Sequence, residues 1–224
     1  IPPEAVVALP NGEAWFWADM IPDAGLLHFD GATWTAVAAP ADWLVVDDLW
    51  GGMAFSLDAG PDGTLWVGSD NGVLAFDGES WTHYTPSNSG IPSLVAPWVA
   101  VAPDGTVWVG TQAFEGDEVR AAIEAAGLAV FDGSTWITYT TADGTAGEAK
   151  PAVGPDGTVW TMADEGIARF DGSDWISFAG RGHAYGSTVG PEGTLWQPTA
   201  GGISGFDGSE SISFSVSPDV APRG

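Results

Sequence analysis

The 224-residue chain sets 30 Asp and Glu against five Lys and Arg, a formal charge of −25, and it has no cysteine. Such a field repels nucleic-acid phosphates and anionic membranes, and the missing thiols exclude disulfides and thiolate metal sites. No apolar stretch approaches the ~18 residues needed to cross a bilayer, while 45% hydrophobic content suffices for a large core.

The chain begins at Ile1 with neither Met nor a signal peptide, which reads as a mature product, an excised fragment or an engineered sequence. A first, worn copy of a repeat follows, from Pro10-Asn-Gly to Val37. The clean second copy is PDGTLWVGSDNGVLAFDGESWTHYT, Pro61 to Thr85. A third runs from Pro103 to Thr140, a fourth from Pro155 to Phe178 and a fifth from Pro191 to Phe214. The copies start 51, 42, 52 and 36 residues apart, the spacing of propeller blades rather than of helical solenoids.

Each copy parses into four short strands, taken here from the third. Val99 to Ala102 is small and apolar and ends at Pro-Asp-Gly, where Pro presets φ, Asp caps the turn and Gly accepts positive φ. Thr106 to Thr111 is β-branched and aromatic, and Leu128 to Phe131 runs into Asp132-Gly133, a two-residue hairpin signal. Thr135 to Thr140 closes the unit. The expected fold is all-β: a β-propeller of five blades, each of four antiparallel strands, over residues 4–37, 54–85, 98–140, 150–178 and 186–215 of one domain. One short helical insertion is expected in the third blade at Asp117 to Ala126, capped by Asp117 and ended by Gly127. No strand is reserved to complete a blade shared by the chain ends, so ring closure is expected to rest on side-chain packing.

Nine of the 13 tryptophans hold repeat positions: Trp15, Trp66, Trp108, Trp160 and Trp196 on second strands, Trp34, Trp81, Trp136 and Trp175 on fourth strands. Recurrence blade after blade assigns them to packing. The turn proline precedes the second-strand Trp by five residues in all five copies, whereas the fourth-strand Trp precedes the next turn proline by 27, 22, 19 and 16. One face of the propeller is therefore uniform and the other decorated with variable loops, where binding usually resides.

The string Gly-Pro-Asp-Gly-Thr-Leu-Trp-Val-Gly, followed by Gly-Val-Leu-Ala-Phe-Asp-Gly-Glu-Ser-Trp, resembles the two-component-regulator propeller repeats of bacterial ligand-binding sensor domains. The resemblance covers essentially the whole chain. It implies a propeller and extracytoplasmic sensing of small molecules or glycans, hence a secreted or extracytoplasmic location.

Four tryptophans lie outside the repeat: Trp17, Trp43, Trp50 and Trp98. The segment from Asp42 to Trp50 mixes Trp43 and Trp50 with Asp47 and Asp48, either a loop sealing apolar side chains over the mouth or an aromatic platform with carboxylate acceptors for sugars. Trp98 and Lys150, the sole lysine, stand five residues before their turn prolines, which places both near the channel mouth. A solvated cation offsetting an acidic surface is the plainer reading of Lys150. The candidate ligand set is Trp17, Trp43, Asp47, Asp48, Trp50, Trp98, Lys150 and Arg181.

No catalytic residues, metal or cofactor are expected. His28, His83 and His183 sit at unlike repeat positions, no calcium loop appears, and Pro-Asp-Gly-Thr-x-Trp departs from the sialidase aspartate box by placing Asp and Gly side by side. Three functions remain open. A non-catalytic sensor module would bind a small molecule or glycan at the decorated mouth, and a scaffold propeller would bind a protein partner. A five-bladed glycoside hydrolase would need convergent carboxylates from Asp47, Asp48, Asp58 and Glu115. Nucleic acid and membrane insertion are not expected, and the oligomeric state is left open.

Overall fold

The computed structural model describes residues 5–17, 25–40, 43, 54–112, 127–145, 149–163, 166–179, 187–199 and 201–215. Twenty strands form five separate four-stranded antiparallel sheets, each in simple chain order, the blades of a propeller. Blade 1 holds β1 (Ala5–Ala8), β2 (Ala14–Trp17), β3 (Leu26–Phe29) and β4 (Trp34–Val37). Blade 2 holds β5 (Ala54–Ala59), β6 (Leu65–Ser69), β7 (Gly72–Phe76) and β8 (Trp81–Tyr84). Blade 3 holds β9 (Trp98–Val101), β10 (Val107–Thr111), β11 (Gly127–Phe131) and β12 (Trp136–Tyr139). Blade 4 holds β13 (Lys150–Val153), β14 (Val159–Ala163), β15 (Gly166–Phe170) and β16 (Trp175–Ala179). Blade 5 holds β17 (Thr188–Val189), β18 (Leu195–Thr199), β19 (Gly202–Phe206) and β20 (Ser211–Ser215). The helix expected at Asp117 to Ala126 lies outside the described residues.

Two glycine turns build every blade's uniform face, the first led by Asp62, Asp104 and Asp156 in blades 2 to 4 but by Asn11 in blade 1 and Glu192 in blade 5, the second by Asp throughout. In blade 2, the Asp62 carboxylate accepts the Thr64 N–H and hydroxyl, both at 3.0 Å, while Gly63 takes φ +87°. The second turn departs from the two-residue expectation. Phe76 pairs with Trp81, so four residues make the connection. Asp77 explains the extra width: it accepts the N–H groups of Glu79 and Ser80 at 2.8 and 2.7 Å and the Ser80 hydroxyl at 2.8 Å. A carboxylate that satisfies three following donors favours this wider turn. Asp30, Asp132, Asp171 and Asp207 repeat it. In all five, the backbone N–H three residues on is the main cause holding the carboxyl below its ordinary range.

Successive blades pack Trp-bearing face onto neighbour. Trp17 and Leu26 meet Leu57, Val67 and Leu74; Trp66 and Val73 meet Val107 and Val109. Trp108 and Leu128 meet Val159 and Ala168, and Trp160, Met162 and Ile167 meet Leu195 and Phe206. The first strands pack in sequence, β1 on β5, β5 on β9, β9 on β13 and β13 on β17, and so line the axis. Of the nine repeat tryptophans, Trp66, Trp108, Trp160 and Trp175 are buried and Trp15, Trp81, Trp136 and Trp196 half-buried. Trp34 is exposed. Its exposure has a plain cause: among the described residues no core joins blade 5 to blade 1. The side-chain packing expected to close the ring is absent from those residues.

Candidate functional site

The decorated end is laced rather than loose. Between blades 2 and 3, the Gly72 N–H donates to the Leu94 carbonyl at 2.6 Å and the Ala96 N–H to the Ser69 carbonyl at 2.8 Å. The Gln112 N–H donates to the Val95 carbonyl at 2.9 Å, so residues 94–96 tie the β6–β7 turn to the end of β10. Nearer the axis, two β5 side chains stand where backbone would bond in a continuous sheet. Ser56 Oγ accepts the Val99 N–H at 2.9 Å and donates to the Pro97 carbonyl at 2.8 Å. Asp58 accepts the Val101 N–H at 2.8 Å and the Ala59 N–H at 2.8 Å. Burial pushes the Asp58 carboxyl above its ordinary range, and these two donors oppose the push.

Trp98 and Lys150 open their inner strands at the equivalent register, Trp98 opposite Gly110 and Lys150 opposite Met162. Gly110 lets the two strands close up. A Cβ there would collide with the Ala149 carbonyl and stand 2.8 Å from Pro151 Cδ, the residues flanking Lys150. Both Trp98 and Lys150 are half-buried. Burial alone pushes the Lys150 amine below its ordinary range, and its ammonium makes no hydrogen bond or ion pair with a described residue. In a chain with 30 carboxylates, this half-buried cation has none as partner among the described residues, and its three N–H donors are open to another acceptor.

Phe55 joins this end of the molecule unannounced. Pairing of β5 with β6 slips between Ala54 and Ser56, which leaves Phe55 as a bulge residue, 44% exposed. Bulges re-aim side chains. Nothing in the fixed repeat spacing marks this one, because it lies upstream of turn proline Pro61, in the connection whose length varies from copy to copy.

Two sequence candidates belong elsewhere. Trp17 and Trp43 are buried between blades 1 and 2, ring centroids 4.8 Å apart and nearly perpendicular, not on a rim open to ligand. Gly25 makes room, since a Cβ there would stand 2.7 Å from Trp17 Cη2, and Asn71 Nδ2 donates to the Trp43 carbonyl at 3.1 Å. The rest of the Asp42–Trp50 segment lies outside the described residues. Asp47, Asp48, Trp50 and Arg181 lie outside the described residues, as does Glu115.

The uniform face carries a concavity as well as its turns. A cleft of about 790 Å³ lies there between blades 3 and 4. Asp104, Asp156 and Asp171 from the turns line it together with Trp108, Tyr139 and Phe170. Asp156 and Asp171 are already engaged with Thr158, Ser173 and Asp174.

No protein-family profile matches the sequence, and no curated protein does either. Solved structures do match. Catalytically inactive virginiamycin B lyase from Staphylococcus aureus, bound to quinupristin, superposes with a TM-score of 0.66 at 16% identity, over 96% of this chain and 70% of that one. The extracellular domain of a candidate hybrid two-component system from B. thetaiotaomicron gives 0.63 at 17% identity, over 96% of this chain and 31% of that one. A candidate gluconolactonase gives 0.57 at 13% identity, over 96% and 78%. At these identities the likeness is one of fold: a β-propeller. It also corrects one expectation. A lyase and a candidate lactonase share the architecture, so a non-catalytic assignment does not stand.

Proposed function

We propose that the chain is a ligand-binding propeller that takes a small neutral molecule, with an apolar face and oxygen acceptors, at the decorated end of its inner strands. A sugar is the simplest such class. One observation carries the reading: Lys150, half-buried and unpaired among the described residues, stands on the strand packed beside Trp98's. Its ammonium would donate to a hydroxyl or carbonyl oxygen, and Trp98, with Phe55 near the same end, would cover an apolar face. The field of 30 carboxylates disfavours a polyanion. An extracytoplasmic location accompanies this reading, supported by the likeness to an extracellular sensor domain.

A thermal-shift screen of mono- and oligosaccharides and small metabolites supplies hits, and calorimetry on Trp98→Ala and Lys150→Met tests them. Each substitution should weaken binding by about 1–3 kcal/mol, as for an aromatic or charged anchor, with the melting midpoint nearly unchanged. Hits whose affinity ignores both substitutions would refute the site. The second reading rests on the cleft between blades 3 and 4, whose ~790 Å³ falls within the range of ligand pockets. Loss of affinity in Tyr139→Ala alone would favour it.

A further inference from the structure

We propose that the two end faces of the blade series dock a second copy of this chain, head to tail. In antiparallel pairing, directly opposed residues share a face. On blade 1, the face turned away from blade 2 is therefore built of Val6, Phe16, Leu27 and Ala36 and of Ala8, Ala14, Phe29 and Trp34. On blade 5, the face turned away from blade 4 is built of Thr188, Trp196, Gly205 and Ile212 and of Pro198, Ile203 and Phe214. Neither row contains a charged residue, in a chain with 30 carboxylates. Val6 is 62% exposed and Trp34 56%, and Ile212 and Phe214 are each 55% exposed. Contiguous apolar surface of this kind marks an interaction site.

The occupant follows from continuity with an interface the chain already forms four times. Each internal seam joins a face bearing the second-strand Trp to the opposite face of the next blade. Blade 5 ends the series on a Trp-bearing face, with Trp196 stacked against Phe214 at 6.1 Å. Blade 1 begins it on a receiving face, where Trp34 packs on Phe16 and Phe29 at 5.2 and 4.7 Å. One chain thus carries both halves of its own seam, at opposite ends. Two copies join by placing blade 5 of one against blade 1 of the other, a heterologous contact that closes or propagates with its rotation. The charge of −25 opposes the encounter and the uncharged faces do not, so raising salt from about 0.1 M to about 1 M should strengthen association.

Sedimentation velocity on the full chain, over a concentration series, tests the proposal. The parent should associate in a concentration-dependent way. Trp34→Glu on blade 1, or the pair Ile212→Glu and Phe214→Glu on blade 5, should each weaken association at least about tenfold by burying an unpaired charge. Melting midpoints should hold, because the replaced side chains are exposed. Mixing the two variants should restore a one-to-one pair, since each keeps the face the other has lost. A parent that stays monomeric would overturn the proposal, whether its ends meet within one chain or await blades from elsewhere. So would variants that associate like the parent, or a mixture that fails to pair.

Discussion

Blades 1 and 2 present the same face under opposite circumstances. Phe16, Leu27, Phe29 and Trp34 in blade 1 occupy the repeat positions of Val67, Leu74, Phe76 and Trp81 in blade 2. Val67, Leu74 and Phe76 are buried against blade 1, while their counterparts are half-buried and Trp34 is exposed. The residues differ little in character; what differs is the presence of a neighbour. A repeat therefore encodes a demand for a partner on each side, and its stability belongs to the seam rather than to the blade.

The sharpest test of that difference removes one Trp from each circumstance. Trp160→Ala, inside the seam between blades 4 and 5, should cost about 3–5 kcal/mol in denaturant melts. Trp34→Ala in dilute solution should cost about 1 kcal/mol or less. Equal losses would mean that blade 1's outer face is covered after all. A finer test stays inside the buried class. Trp160 Nε1 donates to the Gly193 carbonyl of the next blade at 2.9 Å, whereas buried Trp108 Nε1 has no partner among the described residues. Trp160→Phe should then be about 1–3 kcal/mol more costly than Trp108→Phe; matching losses would show that the bond contributes nothing net.

The smallest effect should ignore the difference between ends and interior. The turn aspartates have folded pKa values below the ordinary 3.8, so their contribution is complete above that pH and is lost as pH falls through the folded value. Asp77→Asn in blade 2 and Asp30→Asn in blade 1 should each lower the melting midpoint at neutral pH. The gap from the parent should close on acidification below about pH 4. Asp58, shifted the other way by burial, adds stability as pH falls and is common to parent and variants, so it cancels from the comparison. A gap that persists at pH 2, or one confined to blade 2, would contradict this account.

How far the sequence spoke depended on whether a feature repeats. The Pro-x-Gly turn, Phe-Asp-Gly and the second-strand Trp were legible because turn geometry and blade packing impose them locally, five times over. The width of the second turn was not, since it depends on where the Asp77 side chain finds donors. At the site, counting five residues back from each turn proline placed Trp98 and Lys150 at one register. Phe55 was missed because a bulge is a property of pairing. Trp17 and Trp43 misled for the converse reason: standing outside a repeat does not put a side chain outside the core. The fifth seam, without a core among the described residues, could not be read at all, because every blade, including blades 1 and 5, is written as though flanked on both sides.

The side chains of Ser56 and Asp58 give the molecule a mechanical grain. At the seam between blades 2 and 3, they bond the Val99 and Val101 amides directly across the axis-lining strands. The corresponding positions of β9 carry Trp98 and Ala100, those of β13 carry Lys150 and Ala152, and β17 is only two residues long. Tension applied along the inner strands therefore meets its stiffest joint between blades 2 and 3. Blades 2 and 3 would hold together under a load that has already parted a seam without such bonds between its inner strands.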